Sequence, residues 1–73
     1  MEFLEIVISD EGPADMPTLH DVWVVHDNEP ICHFTIKYRE IRSHVLVLAT
    51  ALRAAGHIVT IDDCRPYRKL SAS

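Results

Sequence analysis

Apolar and polar positions along the chain alternate, change period once, and alternate again. Over residues 3–9, Leu4, Ile6 and Ile8 alternate with Phe3, Glu5 and Val7, which is the period-two pattern of a strand rich in β-branched residues. Residues 10–17 hold Gly12, Pro13, Pro17 and three acids and read as a long wet loop. Residues 22–26 and 31–38 read as two further strands. Between them Asp27-Asn28-Glu29-Pro30 supplies turn chemistry, and Pro30, which cannot donate to a ladder, suits the hairpin's margin.

A turn centred on Asn28-Glu29 pairs Val25 with Cys32, Val24 with His33 and Trp23 with Phe34. One hairpin face then carries Trp23, Val25, Cys32, Phe34, Ile36 and Tyr38, and its aromatic content makes it the expected core face. The other face carries Val22, Val24, His26, Ile31, His33, Thr35 and Lys37. That face is more apolar than a solvated surface requires, so it is the candidate contact surface.

From about residue 42 to 55 the period lengthens. Ile41, Val45, Leu48, Leu52 and Ala55 recur at helical spacing among strong helix formers, with Ser43 as a candidate N-cap and Gly56 placed to end the helix. Residues 57–62 return to strand alternation. A helix between the third and fourth strands is a crossover and sets those strands parallel. The expected fold is α+β: a small mixed four-stranded sheet in βββαβ order, with one helix packed on one face. Residues 1–64 form the expected single domain, and 65–73 a basic, flexible C-terminal tail. The open face and a free edge, the first strand's included, are the expected docking surfaces.

Charge sharpens this picture. Residues 1–29 hold eight acids and no Lys or Arg, while 30–73 hold three acids and all seven basic residues, so the two parts stand at −8 and +4 within a net −4. Such asymmetry is common where a macromolecular partner is bound. At 73 residues the chain forms one small core, with a stability margin of roughly 3–5 kcal/mol. The longest apolar run is 45–49, far short of a membrane span, and the acidic opening lacks the positive start of a signal peptide. A cytoplasmic protein is expected.

Candidate chemistry is sparse. His26 and His33 could share one sheet face, but no Cys-x-x-Cys or His-x-x-x-His spacing completes a metal site, and a Cys32–Cys64 disulfide would need an oxidising compartment. Gly12 and Gly56 are the only glycines, so phosphate-cradling loops and nucleophile elbows are excluded by their glycine spacing. Adjacent strand residues Asp62 and Asp63 point apart. No catalytic residue, metal or cofactor is expected. Arg65, Tyr67, Arg68 and Lys69 interleave charge with an aromatic ring, as single-strand binders do, and form the candidate nucleic-acid contact. The acidic first half opposes tight independent binding of phosphates.

The opening Met1-Glu2-Phe3-Leu4-Glu5-Ile6-Val7-Ile8, the ending Cys64-Arg65-Pro66-Tyr67-Arg68-Lys69-Leu70 and the length give the chain a resemblance to the small transcription regulators of lytic Xanthomonas bacteriophages. That resemblance implies a protein of the host bacterial cytoplasm that binds host RNA polymerase at the N-terminal region of the β′ subunit, near the RNA exit channel. It further implies inhibition of σ-dependent initiation and promotion of antitermination; the basic tail, read from its residues, would then lie toward nascent RNA as a secondary contact. The resemblance assigns no individual residues. From the residues themselves, the expected partner contacts are Glu2, Glu5, Val7, Asp10, Glu11, Val22, Val24, His26 and His33, on a monomer. The alternative reading is an acidic phage inhibitor that occludes a nucleic-acid-binding host defence enzyme.

Overall fold

Why the two long β-branched stretches pair as they do is settled by one turn and one extra residue. The computed structural model describes residues 2–10 and 18–65. Within them the strands are Phe3–Ile8 (β1), Leu19–His26 (β2), Glu29–Lys37 (β3) and Ile58–Asp63 (β4). A short 3-10 turn at Tyr38–Glu40 leads into the helix Ile41–Ala54 (α1). The sheet order is β3-β2-β1-β4, with β1 antiparallel to β2 and parallel to β4, and β2 antiparallel to β3. This is the expected α+β fold, a mixed four-stranded sheet carrying one helix. The helix takes the chain from one edge, β3, to the other, β4. β1 is therefore central, which removes the first strand as a docking edge and leaves β3 and β4 as the edges.

In the hairpin, His26 pairs with Glu29 across Asp27-Asn28, whose φ values of 51° and 65° mark a type I′ turn. The register then slips by one. Val25 lies opposite Pro30 but Val24 lies opposite Cys32, so Ile31 is the extra residue of a β-bulge. Were the same residues paired in a regular ladder without the bulge, Val22 would meet His33. With the bulge, Val22 meets Phe34 and His20 meets Ile36, bringing Val22, Phe34 and Ile36 to one face.

That arrangement overturns the expected hairpin faces. Val22 and Val24, expected on a contact surface, are core residues at 0% and 5% exposure. Trp23 and Val25, expected in the core, are half-buried on the opposite face with His33. His26 and His33 stand on different faces and cannot share an ion. Cys32 is exposed rather than buried, and it and Cys64 are not joined in a disulfide.

The core is aliphatic. Leu4, Ile6 and Ile8 from β1, Val22 from β2, Ile36 from β3 and Val59 from β4 pack under Ile41, Val45 and Ala49 of α1, with Leu48 and Leu52 at its margin. The helix begins after Glu40 without a side-chain cap; Ser43 bonds back to the Glu40 carbonyl and is not the N-cap. Its end follows the Schellman pattern. Gly56, at φ 100°, donates to the Arg53 carbonyl at 3.0 Å and His57 to that of Leu52 at 3.2 Å.

Where β4 ends, the chain is locked. Arg65 donates through Nε to Asp63 Oδ1 at 2.8 Å and through a terminal nitrogen to Oδ2 at 2.6 Å, and its backbone N–H donates to Oδ1 at 3.0 Å. Both side chains are buried, at 7% and 4% exposure. The bidentate hydrogen bond to Asp63 raises the Arg65 pKa above the ordinary arginine value. Burial works against it, and the charge of Asp63 and then Tyr38 adds to it. Arg65 is thus a core-sealing residue, which corrects its assignment to a flexible basic tail and to nucleic-acid contact. Tyr67, Arg68 and Lys69 lie outside the described residues.

Candidate functional site

One face of the sheet packs on α1; the other is uncovered among the described residues. Alternation along each strand delivers its side chains. Phe3, Glu5 and Val7 come from β1, Asp21, Trp23 and Val25 from β2, His33, Thr35 and Lys37 from β3, and Ile58, Thr60 and Asp62 from β4. Trp23 stands near the middle, with Val7 on one side and His33 on the other, and Asp62 lies beyond Val7. The next row runs Thr60, Glu5, Val25, Pro30. Apolar positions are therefore bordered by carboxylates.

Backbone phase places the Trp23–His33 pair. The Tyr38 N–H donates to the Thr18 carbonyl at 2.9 Å, and antiparallel pairs alternate between bonded and non-bonded from there, so Trp23 and His33 fall on a non-bonded pair. Side chains approach most closely at such pairs. The two rings stack with centroids 3.9 Å apart and planes at 22°. His33 Nε2, carrying the proton, donates to Asp21 Oδ1 at 2.9 Å, which fixes the ring against the indole. Toward the hairpin end a shallow depression of about 260 Å³ is lined by Phe3, Glu5, Val25, Ile58 and Thr60, with Phe3 68% exposed.

The electrostatics of this face are acidic: Glu5, Asp21 and Asp62 oppose Lys37, and His33 is held by Asp21. Aromatic stacking alone would suit a nucleic-acid base, but carboxylates around the rings repel the phosphates that come with it. The chemistry fits a basic protein surface bearing an apolar anchor.

Of the expected contacts, Glu5, Val7 and His33 come together on this face. Glu2 precedes β1 in the alternation of Leu4 and Ile6 rather than that of this face, and His26 approaches Glu2 and Asp27 at 3.9 and 3.8 Å, contacts that are ion pairs only with His26 protonated. Asp10 is exposed beyond β1, and Glu11 lies outside the described residues. Val22 and Val24 are removed by burial. Sequence reasoning missed Trp23, Asp21, Val25 and Asp62. The available signal was Asp21 itself: extending the second strand back to Leu19 puts this charge in the same alternation as Trp23, marking that row as the wetter one.

Among the described residues no group of three or more His, Cys, Asp or Glu side chains could hold a metal ion, and no helix is long and apolar enough to cross a membrane. In comparisons with protein-family models, curated proteins and solved structures, the chain matches none.

Proposed function

We propose that this chain is a non-enzymatic binding module that docks a basic protein surface through the uncovered face of its sheet. The observation that carries the reading is the half-buried Trp23, stacked on His33 at 3.9 Å and flanked by Glu5, Asp21 and Asp62. A central aromatic with a charged rim is the arrangement in which a few residues dominate binding energy. The resemblance to phage transcription regulators supplies the partner. It is host RNA polymerase, at the β′ N-terminal region near the RNA exit channel, with σ-dependent initiation inhibited and antitermination promoted. The protein acts as a monomer in the host cytoplasm, without a cofactor.

The test is titration of the chain against purified bacterial RNA polymerase core, with and without σ, read by promoter run-off and by the emission of Trp23, the sole tryptophan. Sub-micromolar binding with loss of σ-dependent transcripts is expected. Trp23→Ala should weaken binding by more than tenfold, as expected for a buried aromatic anchor. Glu5→Lys with Asp62→Lys should slow association most at low salt. Polymerase binding that is unchanged in the folded Trp23→Ala variant rejects the face. No binding by the folded parent chain rejects the partner.

A further inference from the structure

The two edges of the sheet are not equivalent. Ile58 donates to the Glu2 carbonyl and Cys64 to that of Ile8, both at 2.9 Å, so the backbone N–H and C=O groups of the even-numbered residues of β4 point to β1 and those of Val59, Ile61 and Asp63 point away from it. On that edge the Val59 carbonyl already accepts from the Arg53 guanidinium at 3.0 Å. A side chain from the helix therefore occupies part of the β4 edge. On β3 the same reasoning, from the Tyr38–Thr18 bond, turns the N–H and C=O groups of His33, Thr35 and Lys37 outward, and no strand lies beside them among the described residues.

Beside this free edge the inner face is incompletely covered. Arg53 reaches β4, so the helix flank it occupies leans to that side. The opposite flank, with Glu40, His44 and Leu48, stands away from β3. The gap is a cleft of about 530 Å³, lined chiefly by Leu19, Phe34, Ile36 and Leu48, with Lys37 and His44 on its rim. Phe34 and Leu48 are only partly buried against the core. An apolar cleft running along an unpaired edge strand is the geometry used for strand addition: backbone groups pair, and alternate side chains enter the cleft.

The occupant follows from charge. Lys37, Arg39 and Arg42 cluster from the end of β3 into α1, with His33 and His44 adjacent, against Glu40 on the cleft wall. A second copy pairing its own β3 about Thr35 would set Lys37 of each copy opposite His33 of the other and bring no carboxylate to Lys37, Arg39 or Arg42. Residues 66–73 bring Arg68 and Lys69, again of the same sign. We infer that the β3 edge and the β3–α1 cleft form a second binding site, for an extended peptide of a partner protein in which apolar residues alternate with acidic ones. The apolar residues enter the cleft, and the acids lie beside His33 and Lys37 on the outer side. The cleft lies on the other side of the sheet from Trp23, the two sites meet only at the β3 edge, where His33 borders both, and this one does not depend on the proposed partner.

The experiment is a titration of the full chain with acetyl-Val-Glu-Val-Glu-Val-Glu-amide, followed by backbone amide shifts. Saturable shifts are expected at His33, Thr35, Lys37, His44 and Leu48, with Phe3, Val7 and Thr60 little changed. Thr35→Pro removes an outward N–H that the β2 ladder does not use, so the fold should persist while affinity falls about tenfold. Lys37→Glu should cost about fivefold, and replacing Glu by Lys in the peptide should cost at least as much. Four results would each overturn the site: shifts centred on Trp23, affinity untouched by Thr35→Pro, equal binding of the Lys peptide, or a β3-mediated dimer of the free chain. Nuclear Overhauser contacts from residues 66–73 to Phe34 in the free chain would overturn it as well.

Discussion

The two faces of this sheet are built from the same alternating strands and do opposite work. The face under α1 is aliphatic, with Ile6, Ile8, Val22, Ile41 and Val45 fully buried, and the polar pair that closes its end, Asp63–Arg65, is withdrawn from water. The outer face interleaves Val7, Trp23 and Val25 with Glu5, Asp21 and Asp62, and its own polar pair, Asp21–His33, remains 28% and 41% exposed. A carboxylate held by a nitrogen donor appears in both, yet only the inner one sits where losing a partner strands a buried charge. The comparison teaches that stability is concentrated on one face, which leaves the other free to carry recognition at small cost to the fold.

The sharpest way to break the comparison is to place a charge on the inner face. Val22 is fully buried opposite Phe34, and Val22→Asp sets a carboxylate there with no partner. With a total margin of roughly 3–5 kcal/mol, the substitution should abolish cooperative unfolding, as seen by circular dichroism through a denaturant series. A folded, cooperative variant would mean that the inner face does not hold the stability.

Next in size is the inner ion pair. Arg65→Met leaves Asp63 without its bidentate partner in a buried site and should cost about 3–5 kcal/mol by urea denaturation. The double variant Asp63→Leu with Arg65→Met should recover most of it, because an apolar pair leaves no charge behind. The sign of the pH dependence follows from the raised Arg65 pKa. Its stabilisation is complete at every pH below the ordinary arginine value and is lost only as pH rises through the still higher folded value. Arg65 titration should therefore add no slope to stability between about pH 7 and 10. A marked slope in that window, absent from the double variant, would count against the buried-pair account.

Adjacent residues of β1 test the same contrast within one strand. Ile6 is fully buried while Val7, its neighbour, looks outward, so Ile6→Ala should cost about 2–5 kcal/mol and Val7→Ala about 1 kcal/mol or less. Similar losses at both positions would mean that the outer face is also structural.

How far the sequence carries this depends on where local pattern and tertiary context agree. Leu4, Ile6 and Ile8 declare the buried side of β1 because their partners, Glu5 among them, are polar enough to break the tie. The helix, its Gly56 stop and the crossover follow from period and backbone chemistry. The hairpin was misread because both of its faces are apolar enough to be core: Trp23-Val24-Val25 offers no polar residue to choose between them. A single unpaired residue, Ile31, decided the outcome, and bulges leave no periodic trace. Arg65 was misread for a related reason. Its composition belongs with Arg68 and Lys69, while its burial depends on Asp63, two positions back and facing the core. At the candidate site, acids and His33 were visible as chemistry, but their meeting around Trp23 required the register.

The smallest expected effect is on the outer Asp21–His33 pair, and its smallness is the point. Asp21 and His33 meet at 2.9 Å, but both are partly in water, and exposed pairs gain modest Coulomb energy that salt screens. A double-mutant cycle with Asp21→Asn and His33→Ala should give a coupling of about 0.2–1 kcal/mol in stability, declining toward zero as ionic strength rises to about 1 M. The same cycle measured on partner binding should give the larger coupling, since His33 holds the indole of Trp23 in place and Asp21 holds His33. A coupling in stability that matches or exceeds the one in binding would make the Asp21–His33–Trp23 row part of the scaffold, and the two faces would no longer divide the work between them.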